Sequence, residues 1–95
     1  MTVDPKAYAL LQHIQALEIT KKSLEERKAR LEETLKKIEE FKDRRFYLNI
    51  FGVLLVESNY EEAKKSIEEE LALLESRIAK LEKQLNEIKS KLGIA

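Results

Sequence analysis

The sequence predicts a mostly α-helical chain, an antiparallel two-helix coiled-coil hairpin with a single β-hairpin inserted between the helices. Three observations predict it. Residues 60 to 92 read as unbroken heptads, with Ile67, Leu74, Leu81 and Ile88 at one register position and Leu71, Ile78, Leu85 and Leu92 at the other. That is the seam of a coiled coil. A second, looser seam of nearly the same length precedes it. Between the two, residues 43 to 59 abandon the helical period for aromatic and aliphatic runs around Gly52. Matched helices on a short connection favour pairing within one chain, and each would span ~50 Å at the α-helical rise.

The first helix is expected over about residues 5–42. Asp4 is a good N-cap, and Pro5 at the first helical position loses only an N–H that would be unpaired anyway. Its seam runs Leu10, Leu17, Leu24, Leu31 and Ile38, with Ile14, Lys21, Lys28, Leu35 and Lys42 at the companion position. Lys21 and Lys28 therefore interrupt the seam. Their stems can lie on apolar surface while the ammonium groups reach water, which gives a locally loosened coil.

The insert is expected as strands over about residues 46–57. Phe46-Tyr47-Leu48-Asn49-Ile50-Phe51 and Val53-Leu54-Leu55-Val56 are short and rich in strand-favouring types. The turn falls somewhere in 49 to 53. A lone two-stranded hairpin with apolar side chains on both faces is unstable in water, and its edges are open to further pairing. Either other subunits bury it, or it folds back on the helix ends.

The second helix is expected over 60–92. Ser58 to Glu61 and Asn59 to Glu62 both fit the capping-box spacing, and Gly93 suits a left-handed C-terminal cap. Acidic residues dominate its first half and basic residues its second, which complements the helix dipole. The whole, residues 1–95, reads as a single domain.

Composition narrows the function. Acidic and basic side chains number 18 each, charged residues make up 38% of the chain, and there are two Gly and one Pro. So polar a chain with so few turns is long helix, with almost no interior to enclose a small-molecule pocket. Zero net charge argues against bulk attraction to nucleic acid or anionic membrane. The absence of cysteine excludes disulfides and thiolate metal sites. No apolar run approaches the ~20 residues that span a bilayer. The opening Met1-Thr2-Val3-Asp4-Pro5 has no basic segment leading into an apolar one, so no signal peptide is expected, and the expected compartment is the cytoplasm. His13, the only histidine, has no metal-ligand spacing around it, and the glutamate pairs alternate with lysines as solvated helix faces. No enzyme, cofactor or metal site is expected. Arg44 and Arg45, with Lys36, Lys37 and Lys42 nearby, form a basic edge that the adjacent glutamates dilute.

Apolar density along the first helix is uneven. From Ala7 to Ile19 nine of thirteen residues are apolar, and from Thr20 to Lys37 four of eighteen are. In the antiparallel arrangement the dense stretch lies at the free end, beside Ile88, Leu92 and Ile94. Leu10, Ile14 and Leu17 belong to the seam, but Tyr8, Leu11 and Ile19 do not. Surplus exposed apolar surface marks an interaction site. It serves either client or partner binding, or packing on a neighbouring copy.

The segment Tyr47-Leu48-Asn49-Ile50-Phe51-Gly52-Val53-Leu54-Leu55-Val56, followed by Tyr60-Glu61-Glu62-Ala63-Lys64-Lys65, resembles the hairpin and returning helix of prefoldin β-class subunits. Leu74-Glu75-Ser76-Arg77-Ile78 and Leu81-Glu82-Lys83-Gln84 continue the likeness, which covers roughly residues 7 to 92. It implies an ATP-independent holdase chaperone in which α-class and β-class subunits join their hairpins into an oligomeric β-barrel platform, a hexamer. Coiled-coil tips capture unfolded client proteins and deliver them to a group II chaperonin. One hairpin, rather than two, points to the β class. On this reading Tyr8, Leu11, Ile14, Ile19, Leu92 and Ile94 form the client-binding tip. Tyr47, Ile50, Gly52, Leu54 and Val56 form the assembly hairpin. The rivals are a structural coiled-coil adaptor with one fixed protein partner, and an RNA-binding helical arm.

Overall fold

A computed structural model describes residues 4–50 and 52–93 of the chain. The element order is α1 (Pro5–Ile38), a 3-10 turn (Glu39–Phe41), β1 (Phe46–Ile50), β2 (Leu54–Ser58) and α2 (Tyr60–Leu92). The fold is mostly α, with two long helices packed against each other and one antiparallel hairpin between them. The chain divides into two compact units, Met1–Arg27 with Leu74–Ala95, and Lys28–Leu73.

In the first unit, α1 starts as its end residues dictate. The Asp4 side chain accepts a hydrogen bond from the Lys6 N–H at 3.0 Å, and the Asp4 carbonyl accepts from the Tyr8 N–H at 2.9 Å. Pro5 needs no partner there. Ile14 packs with Leu85 and Ile88, and Leu10, Leu17 and Leu92 close around them. Leu74, on α2, is only 3% exposed. The contacts run antiparallel: Ile14 meets Leu85 and Ile88, whereas the later residue Lys21 meets Glu82. α2 ends on Gly93, whose φ of +75° lies in the left-handed region. Its N–H reaches the Ser90 carbonyl at 3.1 Å, so an otherwise orphaned helix-end acceptor is satisfied.

In the second unit, α1 gives up its regular hydrogen bonds after Ile38, short of the residue 42 that the heptad pattern projects. The reason is local. The next seam position is Lys42, which has no apolar side chain to offer. It lies in the turn instead, with its ammonium 5.4 Å from the centre of the Tyr60 ring. The Arg44 N–H closes the turn on the Phe41 carbonyl at 2.9 Å. Ile38 and Ala63 are buried, and the Tyr60 hydroxyl donates to Glu39 at 3.3 Å. Phe46 leans on Tyr60 with ring centres 6.2 Å apart, which ties β1 to the start of α2.

The strands pair antiparallel, with Phe46 opposite Ser58, Leu48 opposite Val56 and Ile50 opposite Leu54. The connection runs through Gly52, which takes a φ of +74° that a side chain would strain. α2 then opens on the second of the two capping spacings. The Asn59 side-chain oxygen accepts from the Glu62 N–H at 2.8 Å. The Glu62 carboxylate in turn accepts from the Ser58 hydroxyl at 3.0 Å.

Candidate interaction surfaces

The helical period decides what α1 shows to solvent. From Leu10 to Ile38 its half-buried and buried residues fall every three or four positions, at Leu10, Ile14, Leu17, Lys21, Leu24, Lys28, Leu31, Leu35 and Ile38. This is the seam of the sequence pattern, residue for residue. Within the first unit, Tyr8 is 55% exposed and Ile19 65%, and Leu11 is open as well. These three fall within an arc of about 80° on the side of α1 away from the seam. Gln15 lies in the same arc and Gln12 about 20° beyond it, and both are exposed. The Gln12 amide donates to the Tyr8 hydroxyl at 2.9 Å and steadies the ring. Between Lys6 and Lys21 the only formally charged side chain is Glu18, and Lys89 of α2 holds it at 3.4 Å. The outward face is thus apolar and amide-bearing, with its one charge paired.

Two of the six tip residues do not share this exposure. Ile14 is 7% exposed and sits in the interhelical core with Leu85 and Ile88, so it supports the face rather than belonging to it. Leu92 is half-buried against the same cluster. Both hold seam positions, and the core takes them. Ile94 lies outside the described residues.

In the second unit the hairpin register sorts the assembly residues. Leu48 pairs with Val56 and alternates with Tyr47, so Val56 and Leu54 share one face while Tyr47 belongs to the other, with Leu55. On the first face Phe46 and Leu48 are half-buried while Leu54 and Val56 are exposed, and on the other face Tyr47 and Leu55 are open to solvent. Tyr47 sits opposite Glu57, which pairs with Arg45 at 3.6 Å. Gly52 is in the turn. Ile50 is in the ladder opposite Leu54, but its side chain, like Phe51, is outside the described residues. Val53, 88% exposed at the turn, and Phe41, open beside Arg44, extend the exposed apolar set beyond the residues singled out from the sequence. The alternation of the strands would have drawn in Leu55, but no periodic signal marks Val53 or Phe41. Leu73 of α2 is also exposed, and its place off both seam registers was the sign.

Among the described residues, no three His, Cys, Asp or Glu side chains come together as a metal cluster, and no helix is long and apolar enough to cross a membrane. His13 is exposed. The surfaces on offer are apolar contact and strand edges, which suit binding between macromolecules.

No curated protein and no solved structure matches the chain. A family model described as prefoldin subunit does match, over residues 6–93. The match takes in both helices and the hairpin between them, and on that evidence the chain belongs to the prefoldin subunit family.

Proposed function

We propose that this chain is a β-class subunit of an ATP-independent holdase chaperone. Its hairpin joins those of α-class and other β-class subunits in a hexameric β-barrel platform. The exposed face of α1 in the first unit captures unfolded clients, which pass to a group II chaperonin. The observation that carries this reading is the uncharged stripe of Tyr8, Leu11 and Ile19, turned away from the seam that buries every other large apolar residue of α1 from Leu10 to Ile38. Weak apolar contacts of this kind gain strength when several copies act on one client. The open edges of the two-stranded hairpin support the assembly half of the reading.

The test replaces Tyr8 and Leu11 together by Ser and measures suppression of aggregation of a chemically unfolded protein. Protection should fall while native mass spectrometry shows the complex unchanged. Unchanged protection would remove the tip from the mechanism. Stoichiometric binding to one folded protein, with no protection, would favour the adaptor.

A further inference from the structure

The two flanks of the seam in the first unit differ in charge. The residues that directly follow Leu17, Leu24 and Leu81 are Glu18, Glu25 and Glu82, and Lys21 and Lys89 engage them. The residues that directly precede Ile14, Lys21, Ile78, Leu85 and Leu92 are His13, Thr20, Arg77, Gln84 and Lys91. None of these is acidic. On this second flank a shallow groove runs between the helices, lined by Thr20, Leu24, Arg77, Lys80, Leu81 and Gln84. Its floor is two half-buried leucines, and its rim is two cations, a hydroxyl and an amide. Arg77 and Lys80 are exposed, and among the described residues neither has an ion-pair partner.

The groove also continues the exposed stripe. Thr20 follows Ile19 directly and stands about 100° further round α1, so an extended chain lying across Ile19 reaches the groove without crossing a charge. A carboxylate there would meet Arg77 and Lys80 and no competing acid.

We propose that this groove, whose lining holds two cations and no acid, selects the clients of the capture site: it binds non-native segments in which an acidic residue stands next to apolar ones. The apolar side chain fills the space between Leu24 and Leu81, and the carboxylate lies against Arg77 and Lys80. This rests on the holdase reading above and adds a rule of selection to it.

The experiment uses the full chain and fluorescent peptides with one apolar centre, flanked by Asp, by Asn or by Lys, with binding read by anisotropy. The Asp-flanked peptide should bind about tenfold more tightly than the Lys-flanked one, a difference of ~1.4 kcal/mol. High salt should shrink that ratio. Arg77→Glu with Lys80→Glu, both at exposed positions, should invert the order. Equal binding of all three peptides, or an order that survives the charge reversal, overturns the inference. If the Tyr8→Ser, Leu11→Ser variant still weakens all three alike in that case, the capture reading stands without it. If no peptide binds, both fall. Binding of single-stranded RNA to the flank with no preference among the peptides would also overturn it.

Discussion

The Lys21 ammonium lies 3.3 Å from the Glu82 carboxylate across the helix pair, and 3.8 Å from Glu25 on its own helix. Lys21 holds a seam position that a leucine would otherwise fill, and its side chain is 28% exposed. The stem covers the seam and the charge reaches the acidic flank, where one ammonium serves two carboxylates.

Magnitudes decide what that arrangement is worth. An ion pair this open contributes at most about 1 kcal/mol and is screened by salt. A leucine in the same place would bury apolar surface worth roughly 1–2 kcal/mol. Lys21→Leu should therefore raise stability, with a melting temperature higher by about 4–8 °C per kcal/mol gained. Thermal unfolding followed by circular dichroism measures it. A lower melting temperature would mean that the bridge between Glu25 and Glu82 outweighs apolar burial.

Neighbouring leucines on α2 should behave in opposite ways. Leu74 is 3% exposed and Leu73 is 61% exposed. Leu74→Ala opens a cavity in the seam and should cost about 2–5 kcal/mol. Leu73→Ala removes surface that water already reaches and should stay within about 0.5 kcal/mol. Urea unfolding of the two variants side by side gives the comparison. A similar loss in both would mean that something covers Leu73 in solution.

Much of this was legible in the heptads. Leu10, Leu17, Leu24 and Leu31 on one helix, and Leu74, Leu81 and Ile88 on the other, are inward because a repeat of seven keeps one stripe of a helix facing its partner. The surplus of Tyr8, Leu11 and Ile19 could be read for the same reason, since a side chain off the stripe has nothing to cover it. What periodicity could not give was anything fixed by contact between elements. Lys42 leaves the seam for the ring of Tyr60, a contact between the turn and α2. The separation of Tyr47 from Val56 depends on strand register. The groove between Leu24 and Leu81 exists only once Thr20 and Gln84 are set beside each other. Ile14 differs from Tyr8, Leu11 and Ile19 for the same reason: its seam position implies burial, and it packs with Leu85 and Ile88.

The start of α2 offers a sharp choice between adjacent polar residues. Asn59 accepts directly from the Glu62 N–H, while the Ser58 hydroxyl donates to the Glu62 carboxylate and the Asn59 carbonyl and caps no N–H. Asn59→Ala should cost about 1 kcal/mol, because a backbone donor in the first turn loses its acceptor. Ser58→Ala leaves that donor satisfied and should cost less. Chemical denaturation of both variants tests the order, and a larger loss at Ser58 would show that the other capping spacing operates in solution.

Two strands alone are at best marginally stable in water, yet β1 and β2 leave Leu54, Leu55 and Val53 exposed, and among the described residues no further strand pairs with either outer edge. Val56 sits opposite Leu48 on the face that Phe46 ties to Tyr60. Val56→Asp puts a carboxylate among these side chains. Any neighbouring strand packed on that face would have to desolvate it with no cation on the face to pair it, a cost of several kcal/mol. Helix formation has its own support in the seam, where Ile14, Leu85 and Ile88 lie in the other unit. The variant should therefore keep its helical circular dichroism and lose its oligomeric mass in native mass spectrometry. A complex of unchanged mass would show that subunits are joined through some surface other than the hairpin.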